Sequence, residues 1–127
     1  VCKNGIILSR SVNLTNNICN NLPAFFYTHS TNTSFILCNS FVNNIAYGGY
    51  GCIQLFTQSA QITIKACNIL GNKQSDTNYG TIYMTVTLFI EDSCILRNNR
   101  GNAVFSVFYG KLITISNCII KEGKYIR

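Results

Sequence analysis

Four stretches decide how this chain folds: Ile36-Leu-Cys-Asn-Ser-Phe41-Val-Asn-Asn44, Ile64-Lys-Ala-Cys-Asn-Ile69-Leu-Gly-Asn72, Ile90-Glu-Asp-Ser-Cys-Ile95-Leu-Arg-Asn98 and Ile115-Ser-Asn-Cys-Ile-Ile120-Lys-Glu-Gly123. Each opens on an isoleucine, carries a second large apolar residue five positions later, and ends three further on in Asn, or in Gly in the last copy. The copies begin 28, 26 and 25 residues apart. A period of that length is the signature of a repeat architecture, in which one unit cannot bury its apolar face alone and must stack on its neighbours.

Working outward, a second alternating segment precedes each phrase: Ala24-Phe-Phe-Tyr-Thr28, Gly51-Cys-Ile-Gln-Leu-Phe56, Gly80-Thr-Ile-Tyr-Met-Thr85 and Ala103-Val-Phe-Ser-Val-Phe108. Period-two alternation of β-branched and aromatic residues means strands with one buried face. No 3.6-residue apolar period persists for three turns. The reading is all-β: a right-handed parallel β-helix of about five coils, with three short strands per coil stacked at about 4.8 Å. Residues 1–127 form one such segment, which reads as a piece of a longer repeat protein with adjoining coils of the same polypeptide as neighbours. Expected interior columns are Phe25/Ile53/Ile82/Val104, Ile36/Ile64/Ile90/Ile115 and Phe41/Ile69/Ile95/Ile120. In the first coil the strands are predicted at Gly5 to Leu8 and Val12 to Asn16, with either Leu14 or Ile7 in the Ile36 column. Asn44, Asn72 and Asn98 should form a structural ladder, since Asn tolerates left-handed backbone and stacked amides bond from coil to coil.

Composition narrows the functional classes. Only 11% of residues are charged, and the net charge of +6 reflects four acids rather than many bases. Six of the ten basic residues lie from Arg97 onward; near an open sheet end, such charges discourage edge-to-edge association. No nucleic-acid motif accompanies them, so no nucleic-acid partner is expected. Seventeen Asn interrupt the apolar residues, so no run is apolar enough to span a bilayer as a helix. Seven cysteines without a CxxC spacing, beside a single His, give no zinc signature and no cofactor site. Cys67 and Cys118 share a column with Ser93, which points to small buried thiols; a partial set of disulfides is the alternative.

Phe41-Val-Asn-Asn44 is an FxxN motif, and Tyr47-Gly48-Gly49-Tyr50-Gly51-Cys52-Ile53 lies near a GGxI motif. The chain from Pro23 onward thereby resembles the GGxI/FxxN repeats of polymorphic outer membrane proteins, and more broadly the pectate-lyase-like β-helices. Ile69 to Asn72 and Ile95 to Asn98 depart to IxxN, Gly80-Thr-Ile82 is a reduced GGxI, and Gly101-Asn-Ala-Val104 a weaker one. The resemblance implies an adhesin-like protein, extracellular or at the cell surface, with host-surface glycans or proteins as partners. It brings no catalytic residue.

An enzyme needs a site of its own, because fold does not fix function. The competing reading is a carbohydrate-active, pectate-lyase-like enzyme fragment whose catalytic residues lie in flanking coils. Glycan-cleaving sites use clustered carboxylates, as an acid/base pair or around Ca²⁺. The acids here are Asp76, Glu91, Asp92 and Glu122. Consecutive Glu91 and Asp92 should point to opposite faces, with Glu91 pairing Lys65 in solvent and Asp92 in an Asx-type bond at the turn. Asp76 has no acidic neighbour in sequence. No catalytic and no metal-binding residue is therefore assigned. A binding site is expected instead on the outward column Phe26/Gln54/Tyr83/Phe105, where stacked aromatics suit sugar rings or a partner surface. The sequons Asn13-Leu-Thr15 and Asn32-Thr-Ser34 agree with a secreted protein.

Overall fold

In the computed structural model, which describes residues 6–28, 32–48, 51–57, 61–75, 78–98 and 103–121, the chain is a parallel β-solenoid of about four turns. The first coil contains β1 (Leu8–Arg10), β2 (Asn13–Thr15), β3 (Ile18–Cys19) and β4 (Phe25–Thr28). The second contains β5 (Ser34–Leu37), β6 (Ser40–Val42), β7 (Ile45–Ala46) and β8 (Ile53–Phe56). The third contains β9 (Gln61–Lys65), β10 (Asn68–Leu70), β11 (Lys73–Gln74) and β12 (Ile82–Met84). The fourth has β13 (Thr87–Glu91), β14 (Cys94–Leu96) and β15 (Phe105–Val107), and a partial fifth has β16 (Ile113–Ser116) and β17 (Ile119–Lys121).

Like strands stack into four sheets with parallel pairing throughout. Sheet A runs β1-β5-β9-β13-β16, sheet B β2-β6-β10-β14-β17, sheet C β3-β7-β11 and sheet D β4-β8-β12-β15. A complete coil thus has four strands, not the three expected. The additional one is the two-residue strand of sheet C, whose register stacks Cys19, Ala46 and Gln74 in one column. That column lacks the repeated large apolar residue that marks the others.

The isoleucine columns fall in the expected register. Ile36 pairs Ile64, Ile64 pairs Ile90 and Ile90 pairs Ile115; Phe41, Ile69, Ile95 and Ile120 align likewise. The members from the second to the fourth coil are buried, each contributing roughly 1.5–3 kcal/mol of side-chain burial. Phe25 of sheet D meets Phe41 of sheet B edge-to-face at 5.2 Å, closing the core between them. Ile115 departs from full burial: it is 40% exposed because no strand of the described residues pairs with the far edge of β16.

Two registers differ from expectation. In the first coil Ser9, not Leu14 or Ile7, pairs Ile36, while Leu14 pairs Phe41. Its strands start at Leu8 and Asn13, and Ile7 packs against the core beside them. In sheet D the partner of Ile82 is Phe105 rather than Val104. The reason lies in the preceding position of the repeat, occupied by Gly51, Gly80 and Ala103. A Cβ on Gly80 would meet Phe105 C at 2.8 Å and Ser106 N at 2.9 Å, both backbone atoms of the next coil. Gly51, at φ 88, is equally tight against Gly80 O and Tyr83 N, each at 3.0 Å. This close approach fixes glycine two residues before the paired apolar residue, and it sets Ala103 opposite Gly80.

Two corners of the coil recur through a left-handed residue. The corner from sheet A to sheet B uses Ser11, Cys38, Ala66, Asp92 and Asn117, and the corner from B to C uses Asn16, Asn43, Gly71 and Arg97. The ladder asparagines themselves follow these residues and are not left-handed. At each corner the next residue's N–H would lack a strand partner, so a side chain of the following coil accepts it. At the second corner Asn17, Asn44 and Asn72 donate their N–H groups to the Oδ1 of Asn44, Asn72 and Asn98 at 3.0–3.1 Å. At the first corner the acceptors are Asn39 Oδ1 for Val12, Cys67 Sγ for Asn39, Ser93 Oγ for Cys67 and Cys118 Sγ for Ser93. The mixed Asn/Cys/Ser/Cys column is one device built from whatever small acceptor is present. It is also the expected stack of small side chains, with Cys67 and Ser93 buried.

Candidate functional site

The outward column of sheet D, expected to carry a binding face, is Phe26/Gln54/Tyr83/Ser106. Phe105, assigned to that column from sequence, points into the core at 1% exposure, displaced by the one-residue register difference described above. Phe26 is 54% exposed, Tyr83 is half-buried, and Gln54 is buried in register between them. Gln54 is therefore a filler between aromatic rings more than an open hydrogen-bonding group.

Sequence reasoning missed three aromatic residues that enlarge this face. Phe56, two residues beyond Gln54 on the same side of the strand, is exposed. Thr85 and Phe108 follow it in the adjoining column, where the Thr85 N–H reaches Leu55 O and the Phe108 N–H reaches Met84 O. Tyr79 meets Tyr83 edge-to-face at 5.6 Å, with ring planes at 90°. Alternation from Gln54 and from Ser106 would have found Phe56 and Phe108; nothing in the sequence marks the Tyr79–Tyr83 contact. Past Phe108, residues Val107 to Ile113 line an open hollow of about 390 Å³, with Tyr109 almost wholly in solvent. The face is apolar, ridged by rings and almost free of charge.

The carboxylates lie elsewhere. Lys65 Nζ sits 3.0 Å from Glu91 Oε2 and 3.4 Å from Asp92 Oδ2. Both acids thus reach the same lysine, contrary to the opposite faces expected of a regular strand, because Asp92 occupies the left-handed corner at φ 50. Asn117 Nδ2 donates to Asp92 Oδ1 at 2.6 Å. That bond, with Lys65, holds the Asp92 carboxyl below its ordinary value, and the Glu91 hydrogen bond raises Lys65. By linkage the Asp92 contribution is present above the ordinary carboxylate range and is lost as pH falls through its depressed pKa. Solvent exposure of the cluster keeps these contributions small. Asp76 and Glu122 lie outside the described residues. Among the described residues, no group of three or more His, Cys, Asp or Glu is placed to hold a metal ion, and no helix is long and apolar enough to cross a membrane.

The six described cysteines are free thiols. Burial pushes the Cys52 thiol up to about 12 and also raises Cys67, while Cys38 stands exposed at its corner. Because thiolate is the reactive form, pulsed alkylation near neutral pH should modify Cys38 before the other described cysteines and spare Cys52 and Cys67 until the chain is denatured. Peptide mass spectrometry reads the order, and labelling of Cys52 as fast as Cys38 would contradict its burial.

No family model, curated protein or solved structure matches the chain. The likeness to polymorphic outer membrane proteins and to pectate-lyase-like enzymes accordingly rests on the quoted motifs alone, and the architecture stands as a parallel β-solenoid.

Proposed function

We propose that this solenoid is a non-catalytic, adhesin-like module, extracellular or at the cell surface, whose sheet D presents an aromatic face to glycans or proteins of a host surface. The observation that carries the reading is the concentration of exposed rings on one sheet: Phe26, Phe56 and Phe108 are each more than 40% exposed, with the Tyr79–Tyr83 pair beside them. Rings held on a pleated sheet lose little conformational freedom on binding, and sugar C–H faces or apolar partner surfaces pack on them. The GGxI/FxxN motifs support a surface role, and the exposure of Asn13 and Asn32 leaves both sequons accessible. The described carboxylates, engaged by Lys65 and Asn117, support the non-catalytic part of the reading.

A glycan array probed with the folded 127-residue chain tests it. Binding is expected at micromolar concentration or tighter, and Phe26→Ala with Phe56→Ala should weaken it about tenfold, the order that one or two aromatic contacts supply. Lys65→Ala should leave binding unchanged. Absence of binding to glycans or to host cells by a folded chain would remove the binding role and leave a spacer.

A further inference from the structure

Resting on the binding role proposed for sheet D, we infer that its ligand is a linear, uncharged glycan of β-1,4-linked pyranoses lying along the solenoid axis. The rings of this face follow an order. Each coil from the first to the fourth contributes one, and they alternate between two neighbouring columns: Phe26, then Phe56, then Tyr83 back in the first column, then Phe108 in the second. Beside each of the last three, two residues away on the same side of the strand, stands an uncharged polar residue: Gln54 beside Phe56, Thr85 beside Tyr83 and Ser106 beside Phe108. From one coil to the next, ring and polar residue exchange sides.

Parallel pairing sets the coil rise at about 4.8 Å, so the rings of one column stand about 9.6 Å apart and all four span about 14 Å. The two columns lie two residues apart along the strand, about 6.7 Å. The rings therefore border a straight lane and touch it from alternate sides at successive coils. An extended β-1,4-linked chain has the matching period. Its equatorial bonds keep it straight, and each pyranose advances by close to one coil rise. Successive residues are turned over about the chain axis, so the same edge of every sugar meets a ring. An α-1,4-linked glucan leaves C1 axially and coils, so it loses step with the rings.

Charge selects among the straight chains. Neither column carries an acid or a base, although the chain as a whole is +6. Nothing in the lane would pair with a uronate, a sulfate or an amino sugar, and a desolvated charge without a partner is costly. The ladder is also fixed before any ligand arrives. Ile53, Ile82 and Phe105 anchor its strands in the core, and Tyr79 braces Tyr83 with its ring plane at 90°. Rings held in this way lose little freedom when a sugar packs on them.

Isothermal titration calorimetry of the 127-residue chain tests this with cellohexaose, chitohexaose, their disaccharides, maltohexaose and polygalacturonate. Cellohexaose and chitohexaose share the backbone and differ at C2. Binding of at least one is expected, and the tighter of the two identifies the C2 substituent. That hexaose should bind about tenfold or more tighter than its disaccharide, which reaches only two rings, and than maltohexaose. Raising the ionic strength should leave its affinity unchanged. Phe108→Ala, at an exposed position, should weaken the hexaose about tenfold and the disaccharide less than twofold, since three rings remain. Circular dichroism confirms the variant's fold; if it is not folded, the comparison of glycans on the unmodified chain still decides. Equal affinity for maltohexaose, preference for polygalacturonate, loss of the length dependence, or no binding to any of these glycans overturns the proposal. In that last case, a folded chain that binds other glycans or host cells keeps the adhesive role of sheet D, and one that binds neither loses both.

Discussion

Ile90→Asn is expected to leave the chain largely unfolded at room temperature. Ile90 is fully buried, with Ile64 below it and Ile115 above it in the central column of sheet A. Truncating a buried isoleucine costs about 2–5 kcal/mol through lost transfer energy and the cavity left behind. The asparagine amide adds the cost of a polar group among aliphatic chains, about 1–3 kcal/mol by the mutational scale. The sum approaches the whole stability of an ordinary domain, about 5–15 kcal/mol. Urea denaturation followed by far-ultraviolet circular dichroism measures it. Ile115→Asn supplies the internal comparison, because Ile115 is partly exposed at the end coil and its amide can reach water. If the two substitutions cost the same, the column is not the core element described.

The isoleucine columns were legible because sheets A and B are joined by a corner of constant length. The five-residue step from Ile36 to Phe41 recurs from Ile64 to Ile69, Ile90 to Ile95 and Ile115 to Ile120. Sheet D was less legible because the links that reach it vary: 29 residues separate Ile53 from Ile82, but 23 separate Ile82 from Phe105. With Val104 and Phe105 adjacent and both buried, hydrophobicity alone could not choose between them; the tight backbone contact at Gly80 does. That same slip misassigned one residue of the candidate face. Sheet C was invisible because strand pairing there needs only two residues and its inward column holds Cys, Ala and Gln. The first coil was misregistered because Ser9 stands where the other coils have isoleucine. That error hid Asn17, although Leu14-Thr-Asn-Asn17 has the spacing of Phe41-Val-Asn-Asn44.

Asn72→Ala should destabilise the chain about as much as losing a core isoleucine, although Asn is polar and the substitution removes little apolar surface. Asn72 is wholly buried and joins three coils. Its Oδ1 accepts the Asn44 N–H at 3.0 Å and Asn44 Nδ2 at 2.9 Å. Its Nδ2 donates to Phe41 O at 2.7 Å and to Asn98 Oδ1 at 3.0 Å. Alanine leaves the Asn44 N–H without its acceptor in a place water does not reach, and takes the side-chain donor from the Phe41 carbonyl, which keeps its ladder bond. The orphaned N–H costs about 1–3 kcal/mol, and each further side-chain bond lost, to Phe41 O and to the neighbouring amides, adds about 1 kcal/mol. Asn17→Ala is the control. The Asn17 side chain only donates into the ladder, and its backbone N–H can still reach Asn44 Oδ1. It should therefore cost about 1 kcal/mol, the net worth of one hydrogen bond. A smaller loss for Asn72→Ala than for Asn17→Ala in urea titrations would mean that the ladder decorates the corner without holding it. The opposite order would assign coil-to-coil cohesion jointly to the isoleucine columns and to the amides at the turn, the two features that recur together along this chain.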